Sequence, residues 1–328
     1  MSNNSDIEVD PKVLANDDED YESAGYNTST QSLSSSINAF VFENGRRYHV
    51  YYGAEKNLLP NDETEQDRLD MHHEMMLLLL GGSLHKAPLN NPQKILDVGT
   101  GTGVWAIDMA DRYPSAWVTG SDLSPIQPNW VPPNCNFEVD DAEKDWTHAE
   151  DTFDYVHARN LAQSITDWPK LTSEMFRCTK PGGYIELAEL GCELYSDDGT
   201  LAPDNAFKRS YDLVNAEALP RIGRHGARLE RMAAFLKMAG CVDITTSTYK
   251  QPYGLWPRDP RQKQIGAIAM LAMETGIEAY VMAAATRIMG MEAEEAQKLC
   301  AEAWKSCKNK NHHVYTNFYV VYGKKPMD

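Results

Sequence analysis

The run Ile95-Leu96-Asp97-Val98-Gly99-Thr100-Gly101-Thr102-Gly103 constrains the fold of this chain more than any other stretch. A short apolar segment, Lys94–Val98, reads as a buried strand, and residues 104–113 follow with a helical pattern stopped by Pro114. Between them stand an acid and three glycines at alternate positions. Glycine lets the backbone turn tightly and approach a ligand closely, and the helix N-terminus beyond it offers free N–H groups. A strand, a glycine loop and a helix in that order open a βαβ unit, so a parallel sheet with a ligand site at its carboxyl edge is expected.

The pattern continues. Residues 117–121, 137–139, 153–158 and 184–190 read as further strands. Trp168–Cys178 reads as a helix ending before Lys180-Pro181-Gly182-Gly183. Gly120-Ser121-Asp122 closes the second of these strands, nineteen residues past Gly103. An acid there can accept hydrogen bonds from both hydroxyls of a ribose, and Leu123 can pack on an adenine. Val139-Asp140-Asp141-Ala142 closes the third strand, where Asp141 can accept from an exocyclic amine and the Ala142 N–H can cap a ring nitrogen. The dinucleotide fingerprint would need glycine at position 104, where valine stands. Asp97 suits a ligand carrying a positive amine better than a pyrophosphate. Both points favour S-adenosyl-L-methionine over a nicotinamide dinucleotide, and no metal is expected.

The segments around this core divide the chain. Residues 1–36 are read as an acidic mobile tail, 37–90 as a cover segment with a helix at Glu63–Leu80, and 91–328 as the core. Within the core, helical patterns at 205–218 and 227–239 lead to a strand at 242–249 and a closing strand at 314–322. The helical stretch 261–306 between those strands, with breaks near Gly276 and Gly290, is a lid insertion spanning about 255–310. Met232, Met238, Met270, Met273, Met282, Met289 and Met291 are half of the chain's 14 methionines. Such unbranched side chains serve as ordinary helix core or as the adaptable wall of a pocket. On the second reading Met273 and Met282, with Tyr48, Tyr253 and Trp256 stacking, receive a bulky, flat, hydrophobic acceptor.

Charge bears on partners. The 31 basic residues face 48 acidic ones, a net −17, of which −7 falls in residues 1–24. A duplex-binding or anionic-membrane protein needs a basic footprint, so neither direct nucleic-acid nor membrane binding is expected. No run approaches 18 apolar residues, and the acidic N-terminus is unlike a secretory leader. Six scattered cysteines with no C-x-x-C pair suit a reducing compartment, so a cytoplasmic location is expected.

Taken together, the Asp-x-Gly-x-Gly-x-Gly loop, Asp122, Asp141-Ala142, Phe153-Asp154-Tyr155-Val156-His157 and Lys180-Pro181-Gly182-Gly183 resemble the class I S-adenosylmethionine-dependent methyltransferases. More narrowly, the sequence is similar to the LaeA-like fungal methyltransferases. The matching stretches are Leu59-Pro60-Asn61-Asp62, Asp67-Arg68-Leu69-Asp70, Asp122-Leu123-Ser124-Pro125-Ile126-Gln127-Pro128, Trp130-Val131-Pro132-Pro133-Asn134, Asp167-Trp168-Pro169 and Phe318-Tyr319-Val320-Val321-Tyr322-Gly323. The resemblance runs from about residue 47 to 326. It implies a Rossmann-like α/β fold, a seven-stranded sheet of order 3-2-1-4-5-7-6 with the last strand antiparallel. It also implies a place in fungal secondary metabolism, some members modifying small molecules and one branch acting in a nuclear regulatory complex. By this resemblance Asp97, Gly99, Thr100, Gly101, Asp122, Leu123, Asp141 and Ala142 hold the cofactor. His157 and Asn160 would line its methionine end, while Arg68 and His73 belong to a covering helix. Where DNA methyltransferases carry an Asn/Asp-Pro-Pro-aromatic motif, this chain has His157-Ala158-Arg159-Asn160, which disfavours DNA as substrate.

A sulfonium is already a strong electrophile, so the protein must align a nucleophile and dry the site, and a hydroxyl acceptor adds the need for a base. His157, His225, His312 and His313 are the candidates, with His313 favoured because it matches a family histidine at the entry to the last strand. Alternation puts His312 and His313 on opposite faces, and Glu189 and Glu186 on the fifth strand stand behind them. The expected function is methyl transfer to an oxygen or nitrogen, oxygen favoured, of a hydrophobic alkaloid- or polyketide-type metabolite, leaving S-adenosyl-L-homocysteine. The alternative is a regulator of metabolite gene clusters acting through protein partners, in which case the nucleus is the location. A homodimer is compatible with either.

Overall fold

The computed structural model describes residues 40–50, 53 and 57–327; the acidic segment 1–36, Tyr51 and Tyr52 lie outside them. The first element is a hairpin of β1 (Phe40–Glu43) and β2 (Arg46–His49). Asn44 and Gly45 join the strands with φ of 51° and 76°, the paired left-handed conformation that an Asn-Gly turn supplies at little cost. Helix α1 (Glu63–Leu80) starts where the Asp62 carboxylate accepts the Glu65 N–H at 3.0 Å and stops at left-handed Gly81, as the glycine pair predicts.

Seven strands then build one sheet in the order β5-β4-β3-β6-β7-β9-β8. They are β3 (Lys94–Val98), β4 (Trp117–Asp122), β5 (Cys135–Val139), β6 (Phe153–Arg159), β7 (Thr179–Tyr195), β8 (Val242–Pro252) and β9 (Tyr315–Lys324). All neighbours from β5 to β7 pair in parallel and β9 runs antiparallel between β7 and β8, which is the expected 3-2-1-4-5-7-6 order. Parallel strands are covered on both faces, and β3 is buried from Ile95 to Val98. Helix α2 (Val104–Arg112) packs with Trp105 and Met109 on one face, and α3 (Trp168–Cys178) packs on the other.

Beyond β7, α4 (Ala206–Asp212) passes through a π turn (Leu213–Ala218) into α5 (Leu219–Arg221), followed by α6 (Leu229–Ala239). Between β8 and β9 come α7 (Pro260–Ala283), a second π turn (Ala284–Ile288) and α8 (Ala293–Cys307). This helical stretch, 260–288, is long and apolar enough to cross a bilayer by length and composition. It packs against α1, α8 and β8 and supplies Ile265, Ala269, Ile277 and Val281 to an apolar cluster shared with α1 and α4.

Two features depart from expectation: α7 runs unbroken through Gly276, its irregular turn coming only at Ala284–Ile288, and one strand is longer. The fifth strand was expected to end at Leu190, but β7 continues past a register shift at Leu190/Leu194 to Tyr195. Its extension carries the start of β9 with it, since Tyr195 pairs with Tyr315.

A glycine-cradled cleft beside an apolar cavity

Gly99, Gly101 and Gly103 hold φ of 69°, 60° and 81°, conformations that L side chains rarely adopt. Space forbids a side chain at two of them: a Cβ on Gly99 would fall 2.3 Å from the Leu161 side chain, and one on Gly103 2.3 Å from the Phe137 ring. The Gly99 and Thr100 N–H groups donate to the Ser121 carbonyl at 2.8 and 2.9 Å, tying the loop to the end of β4. Asp97 is buried beneath the loop. Its Oδ2 accepts from Thr100 Oγ1 at 2.6 Å and its Oδ1 meets His157 Nδ1 at 2.8 Å. The His157 ring stacks on Trp105 at 3.8 Å, and burial holds its pKa below the ordinary value. A neutral imidazole therefore donates to Asp97 and fixes it. His157 does not line the cleft, contrary to the expectation that it meets the methionine end; β6 turns it under the loop instead.

Asp122, at the end of β4, accepts from the Gly101 N–H at 2.8 Å and the Ser124 N–H at 2.9 Å. Loss of solvent pushes its carboxyl up to about 6. Asp97, Gly99, Thr100, Gly101 and Asp122 border one cleft, as expected. Leu123 does not; Ser124 and Ile126 take that part of the wall. Asp141 and Ala142 also lie outside the lining. The Asp141 carboxylate accepts the Glu143 N–H and the Ala142 carbonyl accepts Trp146 Nε1–H, so both serve the turn after β5. The opposite wall comes from residues 57–61 and from Glu65, Leu69 and His72 of α1, with Arg159 and Asn160 closing the end.

A second space adjoins this cleft and shares Leu59, Leu69, His72, Asn160 and Gln163 with it. It leaves about 100 Å³ for the centres of water-sized spheres. Its walls are mostly apolar and aromatic: Leu190 from β7, Phe207 and Tyr211 from α4, Tyr253 after β8, and Met273, Ile277 and Tyr280 from α7. Tyr253 and Met273 are where the sequence places an acceptor. The other three expected acceptor residues are elsewhere. Tyr48 is buried in β2 under the Arg287 guanidinium at 4.3 Å, Met282 packs on the far side of α7 in the core, and Trp256 is partly exposed with its Nε1–H on the Tyr253 carbonyl.

The expected bases move further. His313 stands on the loop before β9, where it pairs with Asp198 and meets Trp256 at 5.4 Å. It borders neither space. The reason is the extension of β7: β9 begins opposite Tyr195, six residues and so roughly 20 Å of strand beyond Glu189. His312 closes the end of α8 through the Ser306 carbonyl and Asn205, both at 3.1 Å. His225 borders a small space beside Trp168 and Phe235. Glu189 does line the acceptor cavity, but its two oxygens accept the Leu161 and Ala162 N–H groups at 2.8 and 3.1 Å, and burial pushes it up to about 8. Glu186 holds the Lys86 and Ala87 N–H groups and is pushed up to about 7.

The histidine at the junction is one that sequence reasoning passed over. His72 lines both spaces. Burial and the nearby cations Arg68 and Arg159 hold it well below its ordinary value, so it is neutral. Asn160 accepts the Leu190 N–H on Oδ1 and so turns its amide nitrogen to His72 Nδ1 at 3.4 Å, which leaves Nε2 as the protonated nitrogen. Beside it, Arg68 forms a fork with Glu65 at 2.6 and 2.8 Å, fully buried, and His73 bridges Asp108 and Arg159.

A sheet of this order, with a glycine-cradled cleft at its carboxyl edge and an acid at the end of the neighbouring strand, defines a class I Rossmann-like methyltransferase. Comparison with known proteins agrees. Residues 70–226 match the methyltransferase-domain family. The methyltransferase pytC of Aspergillus terreus is 40% identical over 312 residues, 94% of this chain and 95% of its own length. The secondary metabolism regulator LAE1 of Cochliobolus heterostrophus is 38% identical over 297 residues, 88% of this chain and 96% of its own. A solved structure described as a methyltransferase from an antibiotic biosynthesis pathway of Anabaena variabilis shares the fold at a TM-score of 0.51 and 14% identity, covering 80% of this chain and 100% of that one. The chain belongs to the LaeA-like family of fungal S-adenosylmethionine-dependent methyltransferases. The cleft fits that cofactor: Gly99 and Gly101 border it without side chains, and Asp122 stands in its wall at the end of β4, where a carboxylate can accept from ribose hydroxyls.

Proposed function

We propose that this protein transfers a methyl group from S-adenosyl-L-methionine to an oxygen of a hydrophobic small molecule in fungal secondary metabolism. One observation carries the reading: an apolar, aromatic-walled cavity meets the cofactor cleft through five shared residues. Transfer needs the accepting atom in line with the sulfonium and water kept out. Leu59, Leu69 and Gln163 close the shared rim. His72, neutral and protonated on Nε2, acts there as a hydrogen-bond donor that orients the acceptor. Oxygen is favoured over nitrogen because a donor at the junction complements a lone-pair acceptor and offers nothing to take an amine proton.

The test is methyl transfer from isotopically labelled S-adenosyl-L-methionine to a panel of flat aromatic phenols, enols and acids, with products read by mass spectrometry. An O-methyl product supports the proposal; cofactor binding without transfer to any panel member, alongside transfer to a protein, would overturn it. A second reading, regulation through a protein partner, is supported by the likeness to LAE1 and by 34% identity to a protein-methionine methyltransferase laeA of Emericella nidulans. The apolar, aromatic-walled cavity favours the small molecule. Six free cysteines support a reducing compartment, the cytoplasm for the enzyme.

A further inference from the structure

The acceptor cavity contains polar atoms that the fold leaves unused. Arg68 is fully buried, and Glu65 occupies its Nε and Nη2 at 2.8 and 2.6 Å. Its third nitrogen, Nη1, is buried and has no hydrogen-bond partner among the described residues. The Tyr253 hydroxyl is in the same position: buried, on a side chain 2% exposed, and without a partner among those residues. Both side chains line the cavity. Tyr280 lies under the guanidinium at 4.9 Å and interacts with it, and Tyr211 interacts with Tyr253, but neither phenol reaches full hydrogen-bond geometry with these two atoms. Tyr211 is itself engaged, donating to the Gly191 carbonyl.

Buried donors left empty are costly, and a fold keeps them where a ligand fills them. What the ligand must carry follows from the atoms. Arg68 Nη1 can only donate, His72 presents Nε2–H, and Tyr253, with its phenol pushed well above the usual value by burial, stays protonated and can donate too. The acids at and beside the space do not compete. Glu65 is spent on Arg68, and both oxygens of Glu189 are held by backbone N–H groups. The site therefore offers hydrogen-bond donors, one of them on a guanidinium whose charge Glu65 balances, a flat aromatic frame in which Phe207 and Tyr253 meet edge to face at 5.1 Å, and no free base among the described residues.

We infer that the acceptor is an oxygen acid, a flat apolar molecule bearing a carboxylate or a β-dicarbonyl enolate, which enters already ionised and is held by Arg68 and Tyr253. This rests on the acceptor-cavity reading above. The reaction then balances without proton removal. A lone pair of the anionic oxygen forms the new O–CH₃ bond, and the C–S bond breaks with its electron pair returning to sulfur. The negative charge of the acid and the positive charge of the sulfonium cancel, giving a neutral ester or enol ether and S-adenosyl-L-homocysteine. The absence of a free base among the described cavity residues ceases to be a difficulty.

The test uses the full chain saturated with S-adenosyl-L-homocysteine and two probes of equal shape, 2-naphthoate and 2-naphthylmethanol, titrated by calorimetry at pH 7.5. The expected result is tenfold or greater preference for the acid, falling towards unity in Tyr253→Phe, a substitution that deletes only the unpartnered hydroxyl. Arg68→Lys, checked for folding by circular dichroism, should reduce the same preference. Equal binding of the two probes, or an undiminished preference in Tyr253→Phe, would overturn the oxygen-acid inference while leaving the cavity reading intact. Binding of S-adenosyl-L-homocysteine with no binding of either probe would overturn both.

Discussion

Asp122 offers the sharpest check on the cofactor cleft. Its carboxyl sits at about 6 because burial penalises the charged form, while recognition of ribose hydroxyls requires that charged form. At pH 7 about ten in eleven molecules carry the carboxylate, and at pH 5 about one in eleven, so cofactor affinity should fall about tenfold between the two. The sign is fixed: binding selects the ionised acid, so acid weakens it, with the steepest change around pH 6. Asp122→Asn removes the charge and exchanges one acceptor oxygen for a donor. A hydrogen bond to a charged group contributes roughly 1.5–3 kcal/mol, so the variant should bind roughly 10- to 150-fold more weakly at pH 7. It should also lose the pH dependence. Calorimetric titration of S-adenosyl-L-homocysteine, which lacks the sulfonium charge, from pH 5 to 8 reads both effects. A flat profile in the natural protein, or an unaltered slope in Asp122→Asn, would refute the assignment of Asp122 to the ribose.

Three further outcomes follow from the same geometry. Gly99→Ala forces a Cβ to 2.3 Å from Leu161 at a φ of 69°, so cofactor binding should fall at least tenfold with a lower Tm by calorimetry. His72→Ala should lower kcat by about ten- to a hundredfold with the cofactor Kd changed far less, and His72→Gln should recover part of the loss; the same kinetics on His313→Ala should show no loss. Glu189 is raised to about 8 in the fold, so the folded state binds more protons than the unfolded chain and stability falls as pH rises from about 4.5 to 8. Glu189→Gln should flatten that part of the Tm-against-pH curve, and an unchanged curve would show that the carboxyl does not titrate there.

What the sequence revealed tracks how local each signal is. The glycine loop, the strand Lys94–Val98 before it and the stops at Gly81 and Pro114 are written in neighbouring residues, and the structure reproduces them. The last-strand histidines failed for a non-local reason. Alternation correctly separates His312 from His313, but the distance from the cleft depends on how far β7 runs past its register shift, which nothing near residue 313 reports. The acceptor wall was half legible: Tyr253 and Met273 line it, whereas Met282 shares their helix or neighbourhood and faces the core. His72 escaped because α1 buries charge. Glu65, Arg68, His72 and His73 fall on one face at helical spacing, so the buried face reads as polar and hydropathy periodicity conceals it. Polar residues recurring with the 3.6-residue period were the signal available.

The two spaces differ in where their walls originate. The glycine loop and Asp122 lie inside residues 70–226, the stretch common to methyltransferase domains at large, whereas Arg68, Tyr253, Met273, Ile277, Tyr280 and Val281, which line the acceptor cavity alone, lie outside it. Substitutions at Tyr253, Met273, Ile277, Tyr280 or Val281 can therefore reshape the acceptor chamber on a part of the chain that does not border the cofactor cleft. Evolution can retune what is methylated, or abandon a metabolite for a protein, while inheriting the cofactor machinery untouched. A family in which a methyltransferase and secondary metabolism regulators share one sequence lineage is what such a division of labour permits.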